Sequence, residues 1–299
     1  MTKGRKFEIS ADSTCDLYAD EIKEYDITVA PLDFVITKDD EVVEERDNYK
    51  SYDEYVEFYN KLRKGCLAKT SILNLQAHVD MFTSLAKRGV KNLLHICQSY
   101  GLSPTLDNAN KAIEIVKKDY PDIDYVAIES RTTTVGEGML VKSAIKLRDD
   151  GKTKEEAVEV LEKIKHNIQH FILVNDLKFL ARGGRIGQAS ASIGSLLQVK
   201  PIIQFDKEGK LKICKKEIGL NKALNGIVNE YKKFTVNKEF PYICIVHTDN
   251  LPLAQKLQGL LKEKYGIEPE IRIMGPIIGA HVGPGAVAYA FISNEERPC

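Results

Sequence analysis

The sequence predicts an α/β fold in two domains, and two patterns support this. In the first half of the chain, apolar strand-type runs alternate with helical segments, which is typical of a parallel sheet with helices on both faces. Beyond about residue 168, strand-type runs paired around short turns indicate an α+β domain. A chain of 299 residues is long enough for two hydrophobic cores. We therefore expect an α/β domain over 1–168 and a C-terminal α+β domain over 169–299.

The elements of the first domain follow from periodicity and capping residues. Strands are expected within 6–14, 90–99 and 124–130, and helices within 16–25, 51–65, 76–89, 105–120 and 137–151. Apolar runs at 27–36 and 41–45 flank turn residues, and they predict a small hairpin inserted near 32–50. A charged amphipathic helix at 152–168 then leads into the second domain.

The second domain is predicted from five further strand-type runs. These runs lie at 170–176, 200–206, 211–218, 241–249 and 267–275. A short helix at 176–182 meets Gly183 and Gly184, and a helix of small residues is expected between Arg185 and the Lys-Pro strand. This corner is either a tight connection between helices or a basic site at Arg182 and Arg185 for an anion or a partner protein.

The run IMGPIIGAHVGPGAVAYAFI, residues 273–292, has no acidic or basic residue and a single histidine, His281. Its length of about 20 residues suits a membrane-spanning helix. Its two prolines and four glycines argue against one, because proline removes a helix donor and glycine destabilises helices. We predict instead a buried loop in close contact with its surroundings, followed by a core strand over 286–292.

Composition excludes several classes of protein. Lysine plus arginine equals aspartate plus glutamate, 43 each, so the net charge does not indicate a nucleic-acid or polybasic membrane partner. The first residues, MTKGRKFEIS, lack the apolar segment of a secretory signal, and we expect a cytoplasmic protein. The six cysteines form no CxxC pair, and no carboxylates cluster, so we expect no disulfide framework, metal or cofactor.

Four predicted strand ends carry small hydroxyl residues. Such residues cap helix N-termini, but ligands also bind at the carboxyl ends of parallel strands. Four such loops in one half of the chain favour binding of an oxyanion such as a carboxylate or phosphate. The polar residues of these four loops are the carboxylate Asp12 and the hydroxyl residues Ser13, Thr14, Thr70, Ser71, Ser99, Ser103, Thr105, Ser130 and Thr132 to Thr134.

Motifs for common enzyme classes are absent from the sequence. It has no GxGxxG after the first strand, no GxxxxGK[ST] and no GxSxG, which argues against Rossmann, P-loop and serine-hydrolase chemistry. There is no evident nucleophile–base pair. His281 is either a general base or, more commonly for a lone histidine in an apolar run, a binding or core residue.

Six motifs together resemble the DegV family of bacterial fatty-acid-binding proteins, which includes the FakB subunits of fatty acid kinase. The resemblance extends over nearly the whole chain, and the last two motifs are the most specific. The motifs are ADSTCDL, TSILN, GLSPT, ESRTTTVGEG, LKFLARGGRIGQASASIGSLLQVKPII and GPIIGAHVGPGA. In TSILN, Ile72 and Leu73 replace the family's Gln and Pro, and Pro104 replaces a Gly in GLSPT.

The resemblance implies a two-domain protein that buries one long acyl chain between its domains. It assigns the carboxylate to Thr70, Ser103 and His281, with supporting positions at Ser71, Ser99, Ser130 and Gly279. Arg182 and Arg185 map to the basic corner where the family's contact with a kinase is expected.

The sequence hypothesis is therefore a carrier without catalytic activity of its own. It would bind a fatty acid such as palmitate, stearate or oleate and present the carboxylate to a fatty acid kinase, feeding phospholipid synthesis. Two alternatives stay open: a carrier of another apolar anion, and a stand-alone transferase using His281. We expect a monomer, because no heptad run indicates a coiled-coil partner.

Overall fold

The computed structural model describes residues 5–39, 41–187 and 198–298. The small-residue helix expected after Arg185 lies largely outside these residues. The described strands are β1 Glu8–Asp12, β2 Thr28–Ala30, β3 Asp33–Lys38, β4 Glu41–Arg46, β5 Leu67–Thr70, β6 Asn92–Cys97, β7 Asp124–Glu129, β8 Ile168–Leu173, β9 Val199–Phe205, β10 Leu211–Ile218, β11 Ile243–His247, β12 Glu270–Ile273 and β13 Val287–Ile292.

The described α-helices pack on and between these strands. They are α1 Ala19–Tyr25, α2 Tyr52–Arg63, α3 Leu75–Lys87, α4 Thr105–Asp119, α5 Val135–Asp149, α6 Lys154–Ile164, α7 Lys178–Arg182, α8 Leu220–Glu230, α9 Leu251–Tyr265 and α10 Pro276–Val282. Short 3-10 turns at Ser13–Cys15 and Tyr231–Lys233 complete the described helical structure.

The first domain contains the predicted parallel sheet, in the order β2-β1-β6-β7. Helices α3 and α4 cover one face through a core that includes Phe82, Leu93 and Ala109. Helix α5 contacts the opposite side of β1 and β6 and also contacts the second sheet. Its residues are almost all buried, as expected for a helix enclosed between two layers.

The second sheet has six strands in the order β10-β9-β8-β13-β11-β12. Only the β11–β12 pair is parallel, and the other pairings are antiparallel. The predicted boundary falls at Ile168, which is the first residue of β8 in this sheet. The fold is therefore the expected α/β domain followed by an α+β domain, with α8 and α9 as helices that the strand-based prediction did not include.

Two local predictions were wrong. The apolar run at 27–36 is not one strand, because it breaks at Pro31, which has no N–H for a ladder hydrogen bond. Its halves join different sheets: β2 pairs with β1, and β3 pairs with β4 and β5. The glycine-rich segment expected to be a loop forms helix α10, with Pro276 at its first position, where proline is tolerated. The core strand after it is confirmed as β13.

Hydrogen bonds between the two halves fix the start of α10. The Tyr59 hydroxyl of α2 donates to the Met274 carbonyl at 2.8 Å. Asp16, after β1, accepts from the Gly275 N–H at 3.0 Å. Gly279 then packs on the Tyr59 ring, where an added Cβ would lie 2.9 Å from the ring Cζ. These contacts set the position of His281, five residues after the start of α10.

Candidate functional site

A cavity of about 260 Å³ lies between the two sheets, and most of its wall is apolar. Polar lining residues come from the ends of β5, β6 and β7 and also from β8, α10 and the segment after α7, and about half of the apolar lining residues lie on β8, β9, β13 and α10. Strand β5 belongs to an antiparallel sheet with β3 and β4, so Thr70 does not end a parallel strand as the sequence pattern predicted. The lining residues are Leu32, Thr70, Ser71, Ile72, Gln98, Leu102, Ser103, Pro104, Thr133, Thr134, His170, Ile172, Leu180, Phe205, Arg185, Leu211, Met274, Ile277, Ile278, His281, Val282 and Ala288. An enclosed apolar space with a few polar groups is the usual form of a small-molecule site.

Thr70 and His281 meet at this wall although they lie far apart in the chain. Thr70 ends β5, His281 lies in the last turn of α10, and the threonine hydroxyl is 2.9 Å from His281 Nε2. The other ring nitrogen of His281 lies against Gly183, where a Cβ would overlap Nδ1 and come within 3.3 Å of Cε1. Gly183 has ordinary helical backbone angles, so its role is to leave space for the imidazole.

The charge state of His281 follows from its surroundings. Burial, together with the positive charges of Arg185 and Arg182, lowers the pKa of His281 to about 4. The imidazole is therefore neutral at pH 7, with one ring nitrogen as a donor and the other as an acceptor. In the tautomer with the proton on Nε2, the imidazole donates to the Thr70 hydroxyl, whose own proton is then free to bond to an anion.

Ser103 and Arg185 line the same cavity from opposite domains. Ser103 is 7% exposed and lies two residues before α4, whose N-terminal N–H groups carry a partial positive charge. The Arg185 guanidinium donates to the Leu102 carbonyl at 3.1 Å and to the Gly183 carbonyl. It therefore connects the loop that carries Ser103 with the loop that contacts His281.

The remaining predicted site residues occupy different places. Ser71 lines the cavity, but Ser99, Ser130, Gly279 and Arg182 are not among its described lining residues. The Ser99 hydroxyl donates to the Gly209 carbonyl at 2.8 Å, and the Ser130 hydroxyl donates to the Thr132 carbonyl at 2.9 Å. These two serines shape the loops. Arg182 is exposed, with its guanidinium 4.7 Å from the centre of the Phe179 ring.

Sequence patterns did not identify several lining residues as part of a site. His170 lies within a buried β8 whose six residues all face protein, so its pattern is that of a core strand. Gln98 directly follows β6, a position that resembles the hydroxyl loops but carries an amide. The apolar residues of α10 and β13 could not be recognised from the sequence as cavity residues, because the wall of an apolar cavity and a solid core have similar amino-acid composition.

A second group of polar side chains lies on the α3 side of the first sheet. One donor atom each from His78, His95 and Cys97 lies within 4.8 Å of the others. His78 Nδ1 donates to the Asn74 carbonyl at 3.1 Å, and the His95 ring packs on Phe82. Burial lowers the pKa of both imidazoles and raises that of the thiol. A metal binds the thiolate form of cysteine, so the raised pKa of the Cys97 thiol favours core packing over metal binding at this cluster.

Asp16 connects the cavity wall to the hydrogen bonds that hold α10. Its carboxyl accepts from Gly275 and from the hydroxyl of Thr134, which lines the cavity. Thr134 has φ 51° and ψ −136°, an unfavourable backbone conformation for a β-branched residue. Strained residues of this kind persist where surrounding contacts fix them, and they concentrate at functional sites.

Burial raises the pKa of Asp16 to about 7, although its hydrogen bonds with Thr134 and Gly275 and the charge of Arg272 lower it. The folded protein thus retains a proton that the unfolded chain releases near pH 4, so stability declines as pH rises from about 4 to about 7 and then levels off. We expect Asp16→Asn to flatten this decline and to raise the free energy of unfolding at pH 8.5 by about 2 kcal/mol.

Thermal unfolding between pH 5 and 9 tests this prediction. Asn also accepts the left-handed conformation of Asp16, which has φ 51°, so the substitution keeps the backbone. Asp122→Asn, at an exposed position, is the matched control and should leave the shape of the profile unchanged. Parallel profiles for Asp16→Asn and the unmodified protein would show that Asp16 does not titrate in this range.

The fold and the cavity define a two-domain α/β protein with an internal, largely apolar cavity. The chain belongs to the DegV family: the family model, described as "Uncharacterised protein, DegV family COG1307", matches residues 6–294. A DegV domain-containing protein of Clostridium perfringens is 33% identical over 295 residues, which is 98% of this chain and 100% of that protein.

Two solved structures share the fold over nearly their whole length. One is DegV from Bacillus subtilis, described as a fatty acid binding protein, with 25% identity and a TM-score of 0.79 over 97% of this chain and 100% of that chain. Another is a stearic acid-binding protein from Eubacterium ventriosum, with 21% identity and a TM-score of 0.81 over 96% of this chain and 98% of that chain. Among the described residues, no helix has the length and apolar character needed to span a membrane.

Proposed function

We propose that this protein binds a long-chain fatty acid in the cavity, with the carboxylate at Thr70, Ser103 and His281. The observation that carries the proposal is the hydrogen bond between Thr70 and His281 at the wall of a largely apolar cavity. The fatty acid binding described for the Bacillus subtilis relative supports the same ligand class.

The chemistry of the cavity matches the two ends of a fatty acid. Burying hydrocarbon is worth about 0.8 kcal/mol per methylene, so a chain of roughly 15 methylenes has a gross gain near 12 kcal/mol. Each hydrogen bond to the carboxylate adds about 1.5–3 kcal/mol net. The apolar wall therefore supplies most of the affinity, and Thr70, Ser103, neutral His281 and charged Arg185 orient the ligand.

We propose further that the bound carboxylate is presented to a cytoplasmic fatty acid kinase. The exposed Arg182 lies close in sequence to Arg185, which lines the cavity, so a partner docking there would be near the carboxylate. Catalysis by His281 alone is less favoured. A base whose pKa is about 4 removes protons poorly at pH 7.

A reconstituted reaction tests this proposal. Oleate-loaded protein with ATP and magnesium should form acyl phosphate only when a fatty acid kinase catalytic subunit is added. Arg182→Glu should raise the KM for the loaded protein about 10-fold, by more than it raises the Kd for oleate, since a charge at the rim of an interface acts on the encounter. Lys232→Glu, on the exposed turn after α8, is the charge-matched control. Turnover of ATP without the kinase would instead support the transferase alternative.

A further inference from the structure

Two polar atoms in the cavity wall have no hydrogen-bond partner among the described residues. They are His170 Nε2, in a residue that is 2% exposed, and Thr133 Oγ1, in a residue that is 3% exposed. Both residues line the cavity, and neither belongs to the proposed carboxylate site. Buried polar atoms are almost always hydrogen-bonded, so each of these atoms calls for a partner that the described part of the chain does not provide.

The other ring nitrogen of His170 is already engaged. Its Nδ1 lies 3.1 Å from the Thr132 hydroxyl, and the ring packs 5.3 Å from the centre of the Phe205 ring. Burial, with the positive charge of Arg297, lowers the pKa of His170 to about 3, so the ring is neutral. In one tautomer Nε2 is a donor and in the other an acceptor, and in both it can bond to a further group.

His170 also lies nearer the start of β8, whereas the residues near the carboxylate site follow the end of that strand. Strand β8 leads towards α7 and Gly183, which contacts His281. His170 lies two residues before Ile172 on the same face of β8, which places it about 7 Å further from that end. His170 and Thr133 thus form a second polar position in the cavity wall, made of residues other than Thr70, Ser103 and His281.

We propose that the preferred ligand is a fatty acid with a hydroxyl or oxo group along its chain, which bonds to His170 Nε2 and Thr133 Oγ1. This inference rests on the proposed function, and it specifies the ligand class of the same cavity. A hydroxyl group both donates and accepts, so it satisfies the two atoms in either tautomer of His170. An unsubstituted chain leaves both atoms buried without partners, which weakens binding.

Competition binding with matched C18 acids tests the inference. The probes are stearate, oleate, an oxo-stearate and a set of monohydroxystearates that differ in the position of the hydroxyl. We expect at least one hydroxy or oxo isomer to bind the unmodified protein about 10-fold more tightly than stearate. The His170→Phe/Thr133→Val double variant keeps the ring and the branched shape but should reverse this preference in favour of stearate.

The control variant is Ile168→Val, which shortens a buried apolar side chain on the same strand outside the cavity lining and should leave the ratio unchanged. If stearate or oleate binds as tightly as every substituted acid, a water molecule suffices for the two atoms, and the inference is wrong while the carrier function stands. If no C18 acid binds, the proposed function itself fails. The comparison of substituted and unsubstituted acids in the unmodified protein tests the inference even if the double variant does not fold.

Discussion

Replacing Thr70 by Val and Ser103 by Ala together should weaken fatty acid binding by about 100-fold or more and abolish acyl phosphate formation. Both changes remove a hydroxyl and nearly preserve shape, so the apolar wall is kept. Two hydrogen bonds to a charged group are lost, each worth about 1.5–3 kcal/mol. The Thr70 hydroxyl also bonds to His281, and its removal frees the imidazole to change orientation.

Displacement of a fluorescent fatty acid measures this effect, and phosphorylation by the kinase gives a second readout. Ser84→Ala, which removes an exposed hydroxyl on α3, is the control and should bind as the unmodified protein does. Because the hydrocarbon gain is retained, the double variant should still bind at high ligand concentration but should not hold the carboxylate in place. An unchanged Kd and an unchanged rate of phosphorylation would show that the carboxylate binds elsewhere.

Gly183→Ala should have the second-largest effect, a loss of binding of about 10-fold or more. The added methyl group overlaps His281 Nδ1, so the imidazole must move and its bond to Thr70 must break. The backbone of Gly183 is in an ordinary helical conformation, which Ala accepts, so the effect comes from the lost space alone. Gly259→Ala, on α9, is the matched control, because a Cβ there has no described atom within 4 Å.

A double-mutant cycle separates this mechanism from general destabilisation. If Gly183 acts by making room for the imidazole, Gly183→Ala should cost little further affinity in a His281→Ala background. Titration calorimetry on the four proteins at a temperature where all are folded gives the coupling energy. Additive losses would mean that the methyl group disturbs the loop rather than His281.

Much of the fold followed from local sequence. Alternating strand and helix patterns predicted the parallel sheet, and the hairpin β9–β10 was recognised from its turn residues. The break at Pro31 was missed because the apolar residues on both sides continue without interruption, although they belong to different sheets. Helix α10 was missed because its glycines and proline resemble a loop. Its helical form depends on tertiary bonds from Asp16 and Tyr59 to the residues just before it.

The candidate site was only partly predictable. The resemblance to the DegV family placed Thr70, Ser103 and His281 together, and the structure brings all three to one cavity. Their role in carboxylate binding stays a prediction. No local pattern could reveal His170 as a cavity residue, because all six residues of β8 are buried and its two faces look alike in the sequence. The cavity beside His170 forms only when the second sheet packs against loops of the first domain.

Native mass spectrometry of the purified protein, followed by organic extraction, tests the central claim most directly. One fatty acid per chain, released on denaturation and present in the extract, is the result that we predict. The mass of that acid would also show whether its chain carries an additional oxygen. A protein that is empty as purified and that takes up neither palmitate nor oleate when they are supplied would contradict the fatty acid carrier function.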